Sequence, residues 1–511
     1  MRPFLPALAV ALASCTASGG SAGPPVPPFD GKVPPATCEA PVQPRNTSSP
    51  TEVVGTGTAA SCTEAALRDA AGRVNGLGGG TITFSCGDAP ATITVASQIV
   101  FTGETTLDGG GRVTLSGGNS TRILYLDSGY DRTTPRLWVQ GLTFVSGKSA
   151  RVAGDDTASG GAAIYRDGGS LTVVNCAFLG NHAPSSGQDL AGGAIYAFGG
   201  GDTVIVGSTF IGNSASDGGA VGSLNGDLAV VNSTFTDNQA LGTGGNPGDG
   251  GCGGAVYQDG ADEVTTLCGV TLRNNGAGAI GGGMFRVSNY DNGTMTMDLS
   301  TVDANQVTAA GDGNAGGMYL QGLDLTITRS TVSRNSAFYD GGLWISEGTL
   351  DLADSTIAGN TATGSNGGGL WLSYDPPGRI LNVTIAGNHA PGGSGGAIFR
   401  AGSGGGGPPV LQNTILAAND ARWNDHCEAG GRLGDGGGNL ESSAAGSRCA
   451  AGATASDPLL SALGDNGGPT ETMLPAAISP ARRLATAGCP TVDQRNQPRG
   501  TPCTAGAVEV P

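Results

Sequence analysis

The sequence predicts an all-β solenoid, a parallel β-helix of stacked coils with a capping helix at its N-terminal end and an irregular cap at its C-terminal end. Three observations predict it. Glycine fills 93 of 511 positions while charged residues make up 13% and aromatics 5%, a composition of many short strands joined by tight turns. A Gly-Gly-(Gly/Ala)-apolar motif returns at Gly161, Gly193, Gly219, Gly254, Gly282, Gly317, Gly342, Gly368 and Gly396. Between those glycines an Asn closes runs such as "STFIGN" and "STVSRN", at Asn181, Asn213, Asn238, Asn275, Asn305, Asn335, Asn360 and Asn388. Such a period marks units that bury an apolar side only against their neighbours.

Taken in order, residues 1–15, "MRPFLPALAVALASC", have a basic Arg2, an apolar stretch and small residues before Cys15, which is how an export signal is built. The run Leu12-Ala13-Ser14-Cys15 resembles the lipobox of bacterial lipoproteins, which implies acylation of Cys15; a plain secretory signal with an incidental Cys is the other reading. Residues 16–50 are rich in Pro, Gly, Ser and Thr and read as a semi-extended tether that holds the body off the membrane. In "SCTEAALRDAAGRVN", Ser61 and Glu64 are spaced as a capping box ahead of an apolar stripe, which predicts a helix over 61–75. A β-helix body follows, so that it spans 51–421 with that helix included.

Each repeat offers three short strands, as in "GGAIY", "DTVIV" and "STFIG", which make one triangular coil. Coils stacked at about 4.8 Å would turn Ile, Val, Leu and Phe inward, and about twelve would give a rod of about 60 Å. The recurring Asn tolerates a left-handed turn and its amide can bond the Asn of the next coil. Residues 422–511 contain four cysteines, break the repeat and read as the C-terminal cap.

A formal charge of −17 with two lysines and no basic run argues against nucleic acid or an anionic lipid surface as partner. Setting Cys15 aside leaves ten of eleven cysteines, an even number in an exported chain. Near neighbours are Cys62 with Cys86, Cys252 with Cys268, Cys427 with Cys449 and Cys489 with Cys503, leaving Cys38 and Cys176; spacing alone leaves the connectivity open.

The alternation of GGA-Ile/Val with F-x-x-N, as in Phe178 to Asn181 and Phe210 to Asn213, resembles the repeats of polymorphic outer membrane proteins, within the right-handed parallel β-helix or pectin-lyase-like superfamily. The resemblance covers roughly 160–420 and implies a right-handed coil and an adhesin-like role. The elements "DPLL", "DNGGPT", "SPA", "DQR" and "GAVE" of 457–510 resemble the choice-of-anchor Q region of bacterial surface proteins, although Arg482 and Arg483 stand where that family has an acidic segment.

The same superfamily contains polysaccharide lyases and glycoside hydrolases, and a hydrolase needs paired carboxylates about 5 to 10 Å apart. Asp217, Asp249, Asp312 and Asp340 each precede a Gly-Gly motif and are candidates, Asp217 and Asp340 with Arg334 as the catalytic set; the plain reading is that Asp and Gly make turns. The same carboxylates could hold Ca2+, although no EF-hand or GGxGxD array supports it. Tyr319, Trp344, Trp371 and Phe399 recur at the Gly-Gly strand and are candidates for a sugar-stacking ladder, with an inward, core-filling role as the alternative. His182 and His389 fill one repeat slot, and His426 in "RWNDHCE" is expected to face solvent. The sequence therefore points to a lipid-anchored envelope rod for adhesion or recognition of a polysaccharide or cell-surface partner, against an exported glycan-cleaving enzyme as rival.

Overall fold

The structure is a computed structural model that describes residues 37–511 except 291, 403–405, 429–430, 443–447, 486 and 511, so the export signal, Cys15 and the tether up to residue 36 lie outside the described residues. Three parallel sheets of 26, 11 and 8 strands run along the molecule. The 11-stranded sheet gives the rung count directly: it steps from Ile99–Phe101 through Ile164–Asp167, Ile195–Phe198 and Val221–Leu224 to Ile398–Ala401. At about 4.8 Å per rung its strands extend along about 50 Å.

Left-handed corners fold the widest sheet. Asn175, Gly207, Asn232, Gly269, Leu299, Arg329, Asp354, Asn382 and Asn413 form a column with φ between 44° and 64°, each turning the chain between two strands of its rung. Gly and Asn dominate it because L residues pay for left-handed backbone. Beside it runs a hydroxyl ladder: Ser208 Oγ accepts from Cys176 N–H at 3.1 Å, and Ser233, Ser300, Ser330 and Ser355 repeat the bond. At the third corner the paired glycines serve two purposes. Gly192 has φ +72°, and a Cβ on Gly254 would stand 2.0 Å from the Gly282 carbonyl oxygen.

The core follows from strict stacking. Phe144, Phe178, Phe210 and Phe235 lie on successive rungs with ring centroids 4.5–4.8 Å apart and nearly parallel planes. Leu272, Val302, Val332, Ile357, Ile385 and Leu416 continue that register. Asn275 shows the corner ladder: its N–H and Nδ2 both donate to Asn305 Oδ1, at 2.9 Å each, and Nδ2 also reaches Phe235 O one rung back. The same bonds repeat from Asn181 to Asn388, and Asn419 adds one further member. His426, expected in solvent, is 2% exposed and ends this ladder, its Nδ1 3.3 Å from Asn419 Nδ2.

The helix forms over Glu64–Gly76 rather than from 61, because Thr63 and not Ser61 is the N-cap: its hydroxyl accepts from Ala66 N–H, while Ser61 Oγ accepts from Thr56. Leu67, Ala70, Ala71 and Val74 are buried against the first rungs, and the Cys62–Cys86 disulfide fastens that end. Cys427–Cys449 and Cys489–Cys503 also form as spaced in the sequence. Cys268 does not pair with Cys252: it bonds Cys38, 230 residues away, while Cys252 and Cys176 are buried free thiols. The reason is the coil itself, which puts Cys252 and Cys268 on different faces of one rung and carries Cys38 back along the outside.

That disulfide corrects the expected tether. Residues 37–50 lie against the rod as a strap, held at Cys38 and again where Gln140 takes both the N–H and the C=O of Arg45. The C-terminal cap likewise turns back: residues 470–507 cover the outside of the rungs carrying Thr331, Thr356 and Thr384.

Candidate functional site

The outer face of the widest sheet carries a stripe that the repeat "ST" spells out. Thr114, Thr143, Ala177, Thr209, Thr234, Thr271, Thr301, Thr331, Thr356 and Thr384 are register partners on successive rungs. They point outward because each is next to an inward residue of the core stack. The Thr that recurs two residues after each corner is a signal in the repeats themselves, broken among these rungs at Ala177.

The stripe is covered at one end and open at the other. Over its C-terminal part, Gln494 bonds Thr331 Oγ1 at 2.8 Å and Thr356 Oγ1 at 2.6 Å, and Thr384 Oγ1 accepts from Ala507 N–H. Over its N-terminal part, the strap runs to one side and leaves a groove of about 1110 Å³. Thr114, Thr143 and Thr209 line it with Leu142, Val145, Leu179 and Asn175, and Pro44–Ser48 of the strap and Arg112 form walls. Asp108 is the one carboxylate among these lining residues, and it is saturated: Thr47 Oγ1, Gln140 Nε2 and Gly110 N–H all donate to it. The groove therefore presents hydroxyls, an amide, apolar side chains and guanidinium groups, a surface suited to holding a chain along the rod.

The structure does not bring the candidate catalytic residues together. Asp217 is 2% exposed and takes Cys252 N–H at 2.8 Å; Asp340 is fully buried and takes Ala315 N–H at 2.7 Å. Each brackets a Gly-Gly corner to the neighbouring rung, and four rungs of the 11-stranded sheet separate them, about 19 Å. Burial pushes both carboxyls upward, Asp340 to about 8. Arg334 stands on another corner, with φ 55°, and pairs with Asp303 at 2.7 Å and with Glu471 of the C-terminal segment at 2.8 Å. Asp249 and Asp312 are exposed in loops. Among the described residues no three of His, Cys, Asp and Glu gather in a metal-binding group.

Tyr319, Trp344, Trp371 and Phe399 do share one column, continued by Phe285 and Tyr257, with centroids 4.5–5.9 Å apart. Their faces, however, are partly spent on one another. Trp344 and Trp371 lie 13° from parallel and cover one face of each other, whereas Tyr319–Trp344 and Trp371–Phe399 are tilted by 34° and 48°. At the N-terminal end the column is sealed: Tyr257 is buried and bonds Asp189 and Asp259, with Asn246 closing over it.

No family model matches this sequence, and no curated protein matches it. Two solved structures are similar to it. One is PfbA, a surface adhesin of Streptococcus pneumoniae, at a TM-score of 0.37 and 12% identity, over 72% of this chain and 90% of that one. The other is the periplasmic alginate epimerase AlgG, at a TM-score of 0.31 and 11% identity, over 67% of this chain and 77% of that one.

Proposed function

We propose that this chain is an exported, surface-displayed recognition rod, anchored through a lipid on Cys15, that binds a partner along its flank and carries out no reaction of its own. The groove over the open half of the threonine stripe is the observation behind this reading: it is lined by hydroxyls, amides, apolar side chains and guanidinium groups, and its one carboxylate is held by three donors. Hydrolysis of a glycan would ask for two carboxylates facing each other there. Four disulfides fit folding in an oxidising compartment, and among the described residues no helix is long and apolar enough to cross a membrane.

The test uses beads coated with the wild-type protein or with Thr143→Arg, whose long cationic side chain would fill the groove. They are passed over immobilised extracellular polysaccharides and matrix proteins, while unsaturated uronates and reducing ends are followed in the flow. Retention on at least one polymer, lost in the variant, is expected. Turnover of a polymer, or retention that Thr143→Arg leaves intact, overturns the reading. Palmitate incorporation that disappears in Cys15→Ser checks the anchor.

A further inference from the structure

The left-handed column beside the groove does more than turn the chain, because at several rungs its side chains grip the backbone of a segment lying on the rod. Asn232 Oδ1 accepts from Cys38 N–H at 2.9 Å while its Nδ2 donates to Cys38 O at 2.8 Å, so one amide holds both polar groups of one strap residue. Asn382 Nδ2 donates to Thr504 O and Gly506 O at 3.2 and 3.4 Å, and Asn413 Nδ2 to Ala487 O at 2.9 Å. Gln140, one residue before Gly141, which has φ 58° on the rung before Asn175, holds Arg45 in the same two-handed way.

On the rung of Asn382 the stripe joins the grip. Asn382 takes the Gly506 carbonyl and Thr384 takes the Ala507 N–H, so column and stripe together clasp the two sides of one peptide bond. The approach is close enough that a Cβ on Gly506 would meet Thr384 Oγ1 at 2.8 Å. What sits on this surface is thus a bent backbone, Gly506 at φ 88°, with small side chains at the contact.

Asn175 is the column member in the groove, with φ 52° like the others, yet it is exposed. The strap crosses between its anchors at Asn232 and Gln140, and in that stretch it carries Pro41 and Pro44, which have no N–H to offer. Thr143 stands half-buried on the rung before Asn175, Thr209 on the rung after it is buried, and the rung of Asn175 itself carries Ala177. The same surface that the molecule covers with its own chain at one end is left open beside the strap at the other.

We infer that the groove takes a polypeptide segment of a partner protein, small-residue-containing, whose backbone is clasped by Asn175 beside Thr143 as the C-terminal segment is clasped by Asn382 and Thr384. This deepens the recognition reading above and rests on it. Main-chain hydrogen bonds supply the affinity, as in other modes of peptide capture, and the small residue is set by the closeness of the sheet.

The test pans a phage-displayed library of linear peptides on the immobilised full chain, with the Thr143→Arg protein in solution as competitor. Selected peptides are then synthesised for fluorescence anisotropy. Asn175→Gly is the decisive variant because Gly207 and Gly269 occupy the same column, so the corner keeps its backbone and loses only the amide. Peptides rich in Gly or Ala, weakened roughly ten- to a hundredfold by Asn175→Gly with unchanged circular dichroism, are expected from the loss of one to two hydrogen bonds. Peptides indifferent to Asn175→Gly, or no enrichment at all, overturn the inference. If a polysaccharide binds instead and is displaced by Thr143→Arg, the polypeptide assignment fails while the recognition groove stands; if nothing binds in a Thr143-dependent manner, both fail.

Discussion

Asn275 is held by more hydrogen bonds than its size suggests. Truncating it to Ala would leave the N–H of Asn238 without its acceptor, take from Asn238 Nδ2 one of its two acceptors and remove the side-chain donor to the Phe235 carbonyl, all of them buried. The expected loss is roughly 3 kcal/mol in urea denaturation, against little for His182→Ala, whose exposed ring meets only Ser214 Oγ. Asp340 behaves oppositely with pH. Its carboxyl rises from 3.8 to about 8 by burial, so between those values the unfolded chain releases a proton that the folded chain keeps, and stability falls as pH rises. Asp340→Asn should therefore match the wild type near pH 4 and melt higher near pH 8; an equal difference at both would remove this account. The F-x-x-N spacing made the ladder legible because Phe and Asn each recur at a fixed offset. Asp before Gly-Gly was ambiguous: the same letters make a surface turn at Asp249 and a buried bracket at Asp217, and only the neighbouring coil decides which.

At the scale of elements, two local rules carry different signs. Thr63→Ala removes the N-cap bond to Ala66 and should cost about 1 kcal/mol in thermal denaturation. Ala304→Gly should do the reverse, because Ala304 sits at φ 54° in a corner where Gly180, Gly212, Gly359 and Gly387 stand on other rungs. A gain of about 1 kcal/mol is expected from relief of that backbone, less the entropy Gly adds to the unfolded chain. The helix was legible from its apolar stripe, and its N-cap was misplaced by two residues because Ser61 and Thr63 are both good caps. Strands were legible as short alternating runs. The aromatic column was visible too, but a sequence does not show that rings one rung apart, as at Trp344 and Trp371, cover one another's faces.

Over the whole molecule, the straps are what the sequence concealed. Cys38 and Cys268 are 230 residues apart, and composition alone made 37–50 look like a free stem. Contact between segments so distant depends on the rod existing first, so no local pattern announces it. Replacing both cysteines by Ser should lower stability by about 2–5 kcal/mol and raise hydrogen exchange at Thr37 and Cys38, whose N–H groups bond Asn232. The groove and its proposed occupant both depend on one outward stripe running rung to rung from Thr114 to Thr384. Adjacent rungs bring Cα atoms to about 4.8 Å, within disulfide reach, whereas rungs two apart are about 9.6 Å and beyond it. The most direct measurement compares two oxidised double variants by mass spectrometry: Thr234→Cys with Thr271→Cys, which are register partners, and Thr234→Cys with Thr301→Cys, which are not. A disulfide in the first and free thiols in the second is the predicted result. A cross-link in the second, or in neither, would contradict the stacked stripe on which the groove is built.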